Sequence, residues 1–226
     1  MKKKNTNGFT IIELSIVIVI IGLIIAGVTA GISLVNSAKL AHTASELRKF
    51  EVAYSTFRSQ YNAIPGDMKN ASSYFSGVGN GNGDALIKNN LVFEHYFVWQ
   101  HLSSAGLIPG SYTNLGSVQA YLNHPASDFG VFGVISDPIF QGKVRNKLAI
   151  AKTNNSDCSW CNSSMTPIDA KNLDVKMDDG MASKGRLLGV DGGNNAGSCS
   201  AVWNAAPGSN YKVNSIIACR MFYLIQ

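Results

Sequence analysis

The sequence predicts an α+β chain: a long N-terminal helix whose lower half is apolar enough for a membrane, packed on a small antiparallel-sheet domain. Three observations lead there. From Phe9 to Val35 the only ionisable side chain is Glu13. Beyond Val35 the composition turns polar while the helical period continues, with Leu40, Ala44, Leu47, Phe50, Tyr54, Phe57 and Tyr61 stepping by three and four. The remainder holds short, partly alternating apolar runs between turn residues, the pattern of strands.

The N-terminal run is longer than the roughly 20 residues a helix needs to cross a hydrocarbon core. It is also too long for the apolar stretch of a secretory signal, and no A-x-A-like site ends it. Lys2, Lys3 and Lys4 precede it and hold the N-terminus in the cytoplasm by the positive-inside tendency. They supply three of the five net positive charges, so the rest of the chain is too balanced to argue for a nucleic-acid surface. All four cysteines, Cys158, Cys161, Cys199 and Cys219, then fall on the outer side, where an even count fits disulfides. On these grounds alone the segment reads as an uncleaved signal-anchor with its C-terminal domain outside.

The stretch GFTIIELSIVIVIIG adds a more specific reading. It resembles the class III signal of type IV pilins and of the pseudopilins of type II secretion systems. The resemblance covers about 55 residues and implies a division into a prepilin leader (1–8), a transmembrane and assembly helix (9–35), its amphipathic continuation (36–64) and an extracytoplasmic globular domain (65–226). It implies cleavage between Gly8 and Phe9 by a prepilin peptidase, which also methylates the new amine of Phe9. It implies that Glu13 pairs with the Phe9 amine of a neighbouring subunit and so fixes the register of a filament. The implied partners are identical or related pilin subunits, the peptidase, an inner-membrane assembly platform and membrane lipid. The implied location is the bacterial inner membrane, single-pass with the C-terminal domain in the periplasm, and then the filament. The apolar helix has no proline, whereas many type IV pilins carry one there, a mild argument for the pseudopilin side. The segments IPGD, WQHLSSAGLI and LDVKMDDG are less specific echoes of the same branch.

The helix is expected to run from about Ile11 to Tyr61, roughly 75 Å at 1.5 Å per residue. Ile64-Pro65-Gly66 marks its stop. SGVGNGNGDA (76–85) reads as a loop. A largely buried aromatic helix follows from about Leu91 to Ala105, ended by Gly106 and Pro109, and on it His95 and His101 read as surface or satisfied histidines. Strands are expected at 128–136, 147–153, 185–192 and 214–226. Between them a short helix is expected with Thr166 as N-cap, Pro167 at its first position and Gly180 at its end.

Cys158-Ser-Trp-Cys161 admits three readings. A redox pair needs a thioredoxin-like surround, which is missing. A zinc site needs two more well-spaced ligands, and the nineteen residues between Cys199 and Cys219 fit that poorly. Structural disulfides remain, and of the three possible connectivities Cys158–Cys161 with Cys199–Cys219 is favoured, the second resembling the C-terminal staple of many type IV pilins. No cofactor is expected; calcium, which some pseudopilins bind, has candidates only in Asp84 and in Asp174, Asp178 and Asp179. No phosphate loop, nucleophile elbow or paired catalytic carboxylates point to an enzyme. The function expected is that of a structural subunit of a type IV pilus or type II secretion pseudopilus. The rivals are a minor or competence pilin acting in DNA uptake or adhesion, and an unrelated signal-anchor protein.

Overall fold

The computed structural model describes residues 8–88, 93–113, 122–138, 144–152, 162–193, 198–200 and 209–225. The chain divides into two compact units, residues 1–39 and 40–226, although helix α1, Ile11–Tyr61, contributes to both. Its end agrees with the expectation, but the residue that stops it is Asn62, in the left-handed conformation at φ 48°, three residues before the proline. Asparagine tolerates that conformation better than most residues and so serves as a helix terminator.

In the second unit α1 buries Leu40, Thr43, Ala44, Leu47, Phe50, Ala53, Tyr54 and Phe57. This face meets a five-stranded antiparallel sheet of order β1-β2-β3-β5-β4. The strands are β1 Ala126–Ser127, β2 Gly130–Pro138, β3 Val144–Ala151, β4 Leu187–Asp191 and β5 Cys219–Leu224. Register pairs Phe132 with Ile150, Val134 with Leu148, and Leu148 with Tyr223, which aligns one apolar face against α1. The Phe50 ring meets Trp99 and Phe132 edge-on at 5.1 and 4.9 Å.

The opposite sheet face is buried too. Val131, Ala149, Ala151, Leu188, Val190 and Phe222 form a second apolar cluster with Tyr96 and Phe97. Lys147 and Arg220 lie on this face with their charged groups 4.9 and 5.3 Å from the Phe222 ring centre. A sheet covered on both faces explains the weak alternation of the strand sequences.

The remaining elements follow their local signals. Helix α2, Glu94–Ser104, ends with Leu107 N–H on Leu102 O and Gly106 N–H on Ser103 O, with Gly106 at φ 70°. These are the paired bonds of a Schellman motif. Helix α3, Pro167–Met177, begins as expected: Thr166 Oγ1 accepts the Asp169 N–H at 3.1 Å. The two-residue strand β1 carries too little pattern to be read, and residues 214–218 do not join β5. There the Asn214 side chain bonds Ser198 O and Ile216 N–H, which takes the place of ladder bonds. Gly130 turns the β1–β2 hairpin at φ 149°, where an added Cβ would lie 2.4 Å from Ala151 O.

Candidate functional site: the N-terminal helix

The first helical hydrogen bond runs from Leu14 N–H to Thr10 O, which makes Thr10 the N-cap residue. Thr10 donates to Glu13 Oε2 from its backbone nitrogen at 2.7 Å and from its hydroxyl at 2.8 Å. The Glu13 N–H returns a bond to Thr10 Oγ1 at 3.3 Å. This reciprocal arrangement is a capping box, two orphan donors satisfied by one Thr-x-x-Glu segment. That role for Glu13 was legible as Thr10-Ile-Ile-Glu13; from the sequence the carboxylate is expected either to help start the helix or to pair with the Phe9 amine, and Thr10 as its partner was missed. The box uses Oε2 alone; Oε1 has no hydrogen-bond partner among the described residues.

Every residue from Gly8 to Val35 is exposed in the isolated chain, with Phe9 at 84% and Ile11 at 88%. The helix is long and apolar enough to cross a membrane, with a mean hydropathy of 2.9 over its most apolar 18 residues. Two hydroxyls of its apolar segment are satisfied within the helix: Ser15 donates to Ile12 O, and Thr29 to Ile25 O and Ala26 O. An apolar surround requires this of any polar group it receives. Gly8 has open space where a side chain would stand.

The other residues singled out by sequence are placed in the second unit. Cys199 and Cys219 form a disulfide, and so offer no thiolate to a metal. Cys158 and Cys161 lie outside the described residues. His95 and His101 are both fully buried, not at the surface, because α2 is covered on all sides from Glu94 to Leu102. Burial pushes both imidazoles down to about 4.

Two acidic groups bring their oxygens within 4.8 Å of one another: Asp67, Asp84 and Glu94, and Asp174, Asp178 and Asp179. Their carboxylates already have donors. Asp67 accepts the N–H groups of Gly83, Asp84 and Ala85, and Asp84 pairs with Lys88. Glu94 accepts Asn82 N–H at 3.1 Å and Lys88 N–H at 3.0 Å. Asp174 accepts the Tyr211 hydroxyl at 2.9 Å and Gly180 N–H at 3.2 Å. Asp178 takes Arg186 N–H and Leu187 N–H, and Asp179 takes Met181 N–H. These carboxylates act as anchors for loop backbone, the role that buried carboxylates need to remain satisfied.

Sequence reading also missed a brace between α1 and the sheet. Glu51 on α1 receives the Arg186 guanidinium and, at 2.8 Å, the Tyr223 hydroxyl. Arg186 further donates to Leu224 O and stands 4.8 Å over the Tyr223 ring. Burial and the Glu51 carboxylate push the Tyr223 phenol up to about 12.

A family model described as the prokaryotic N-terminal methylation motif matches residues 3–29. No curated protein and no solved structure matches the chain. The matched segment contains Gly8, Phe9 and Glu13 and takes in the start of the apolar helix, which begins at Ile11. The chain thus carries the class III prepilin signal of type IV pilins and pseudopilins, joined to an α+β architecture of the pilin-like kind.

Proposed function

We propose that this chain is a structural filament subunit of a type IV pilus or a type II secretion pseudopilus, not an enzyme. A prepilin peptidase cleaves the leader 1–8 between Gly8 and Phe9 and methylates the Phe9 amine. The segment 9–35 anchors the subunit in the inner membrane and then forms the filament core, with 36–64 as its amphipathic continuation and 65–226 as the periplasmic domain.

The observation that carries this reading is an apolar helical segment that begins within the methylation motif and is exposed on every side to Val35. Such a surface is stable only in lipid or against other apolar helices. Glu13 is then the informative exception. An acidic side chain costs roughly 2.5–3.5 kcal/mol at a bilayer centre and less near an interface. Its capping bonds to Thr10 satisfy one oxygen in a lone subunit. Its second oxygen is available to the Phe9 amine of a neighbour, and in an apolar bundle that pair sets one axial offset per subunit.

The test is a fractionation of cells before and after mechanical shearing, with a size standard for the 218 residues left when eight are removed from 226. Mature protein in the sheared fraction identifies a surface pilus. Mature protein held in the envelope identifies a pseudopilus or a minor subunit. If only the 226-residue chain is found, the cleavage and the filament role both fail.

A further inference from the structure

His101 is fully buried near the end of α2, at centroid distances of 5.9 Å from the Phe57 ring, 6.4 Å from Phe75 and 6.3 Å from Phe97. Its two ring nitrogens join two different turns. Nδ1 accepts the Gly66 N–H at 2.9 Å, on the turn that follows α1. Nε2 lies 2.8 Å from Gly79 O, in the glycine- and asparagine-rich loop. A backbone N–H aimed at Nδ1 requires that nitrogen to be unprotonated, so Nε2 carries the proton and donates to Gly79. The Gly79 backbone comes close to the neighbouring ring, and a Cβ there would stand 2.2 Å from Phe97.

From Gly79 to Lys88 the chain is a strap with two kinds of tie. Its far part is held by carboxylates: Asp67 takes Gly83, Asp84 and Ala85, and Glu94 takes Asn82 and Lys88. Its near part is held by His101 at Gly79, by the Asn80 amide, which accepts from Ser72 N–H and donates to Ser72 Oγ, and by the bond from Gly81 N–H to Met68 O. We propose that acid opens the Gly79 end of this strap, with the neutral imidazole of His101 as its catch.

Protonating Nδ1 sets two N–H groups against each other at a 2.9 Å separation and leaves a charge among aromatic rings, a state that persists only if water reaches it. Lifting Gly79 admits that water. The opening uncovers the Phe97 ring and frees the Gly66 turn, while the carboxylates keep the far part in place. The charged groups facing the strap are Arg58 at the top of α1, Asp67 and Lys69 on the turn after it, Asp84 and Lys88 on the strap, and Glu94 and His95 on α2. Glu94 opposes the release, because burial raises its carboxyl and its closed form gains a proton in acid. His101 itself is pushed down to about 4, by burial, with the Gly79 carbonyl pulling the other way. Opening therefore gains up to about tenfold per pH unit below the ordinary imidazole range.

The test is amide exchange on the full chain in detergent micelles at pH 7 and pH 4.5, corrected for intrinsic rates. Gly66 and Gly81 are expected to exchange at least about tenfold faster in acid, with Gly83, Ala85 and the β3 and β5 amides unchanged. Unchanged protection at Gly66 and Gly81, or loss at all these sites together, overturns the proposal. His101→Gln keeps an acceptor and a donor without titrating, so the acid effect should vanish; an acid effect that survives in this variant overturns it. If the variant does not fold, the imidazole C–H signal of His101 in the unaltered chain decides. Titration below about 5 together with the Gly66 amide supports the catch, and titration near 6.5 with the strap closed refutes it.

Discussion

The two parts of α1 share one backbone and differ in what covers them. Up to Val35 the helix is apolar around its circumference and exposed on every side; from Leu40 to Tyr61 it is amphipathic, with one face in a core. The upper part has its partners inside the chain, in Phe132, Leu148 and Trp99. The lower part is exposed as far as Val35 and has no such core around it among the described residues; lipid or another apolar helix is what the proposed function puts there. The lesson is that helical period marks a face to be buried only when part of the circumference is polar; when none is, the sequence specifies an environment.

The largest test of this contrast is a pair of truncations. Phe57→Ala should lower the unfolding free energy of the second unit by about 3–5 kcal/mol. Ile18→Ala should leave the same urea midpoint unmoved. Equal shifts in the two variants would sink the distinction. Next in size is the disulfide. Cys199 and Cys219 are 20 residues apart, and Cys199→Ser with Cys219→Ser should cost about 3 kcal/mol, read as a drop in urea midpoint with helix α1 below Leu40 unaffected.

Acid should separate the two parts by a smaller step. His95 and His101 are pushed down to about 4, and His124 is held well below its usual range, all by burial first. The stability they lend is full above the unfolded value of about 6.5 and is lost as pH falls toward 4. Asp174, which burial pushes up to about 7, and Glu94, also raised, work the other way: their contribution is present in acid and lost as pH rises. Three imidazoles against two carboxyls leave a net proton uptake on unfolding that grows from a fraction near pH 7 to about one near pH 5, where the slope is about 1.4 kcal/mol per pH unit. Urea midpoints at pH 7, 6 and 5 should therefore decline; a flat series would contradict the burial of the three histidines. Smallest is the cap of α3: Thr166→Ala should cost about 1 kcal/mol in the same assay, and Thr166→Ser almost nothing.

The membrane-capable helix, both ends of α1, the Thr166 cap and four of the five strands were legible in the sequence to within a few residues. Each of those signals is local. Apolar period, a capping side chain and a glycine or asparagine at positive φ act over one turn of chain. The capping role of Glu13 was equally local and was overshadowed by the motif around it. The hidden features join distant residues. Asp67 reaches across 16 residues to organise the glycine-rich loop, which by composition alone looked like a weak cation site. His101 looked like a surface or satisfied group, and only the packing of α2 against Phe57 and Phe75 made it a buried link between two turns.

By itself the sequence determined where the chain is helical, which end is built for an apolar surround, and where the processing signal lies, because those properties follow from neighbours within a few residues. The tertiary structure alone decided that both sheet faces are buried, that Glu51 braces α1 to residues 135 and 172 positions away, and that three histidines are held neutral. Those depend on which surfaces meet, and desolvation and long-range hydrogen bonds exist only once they have met.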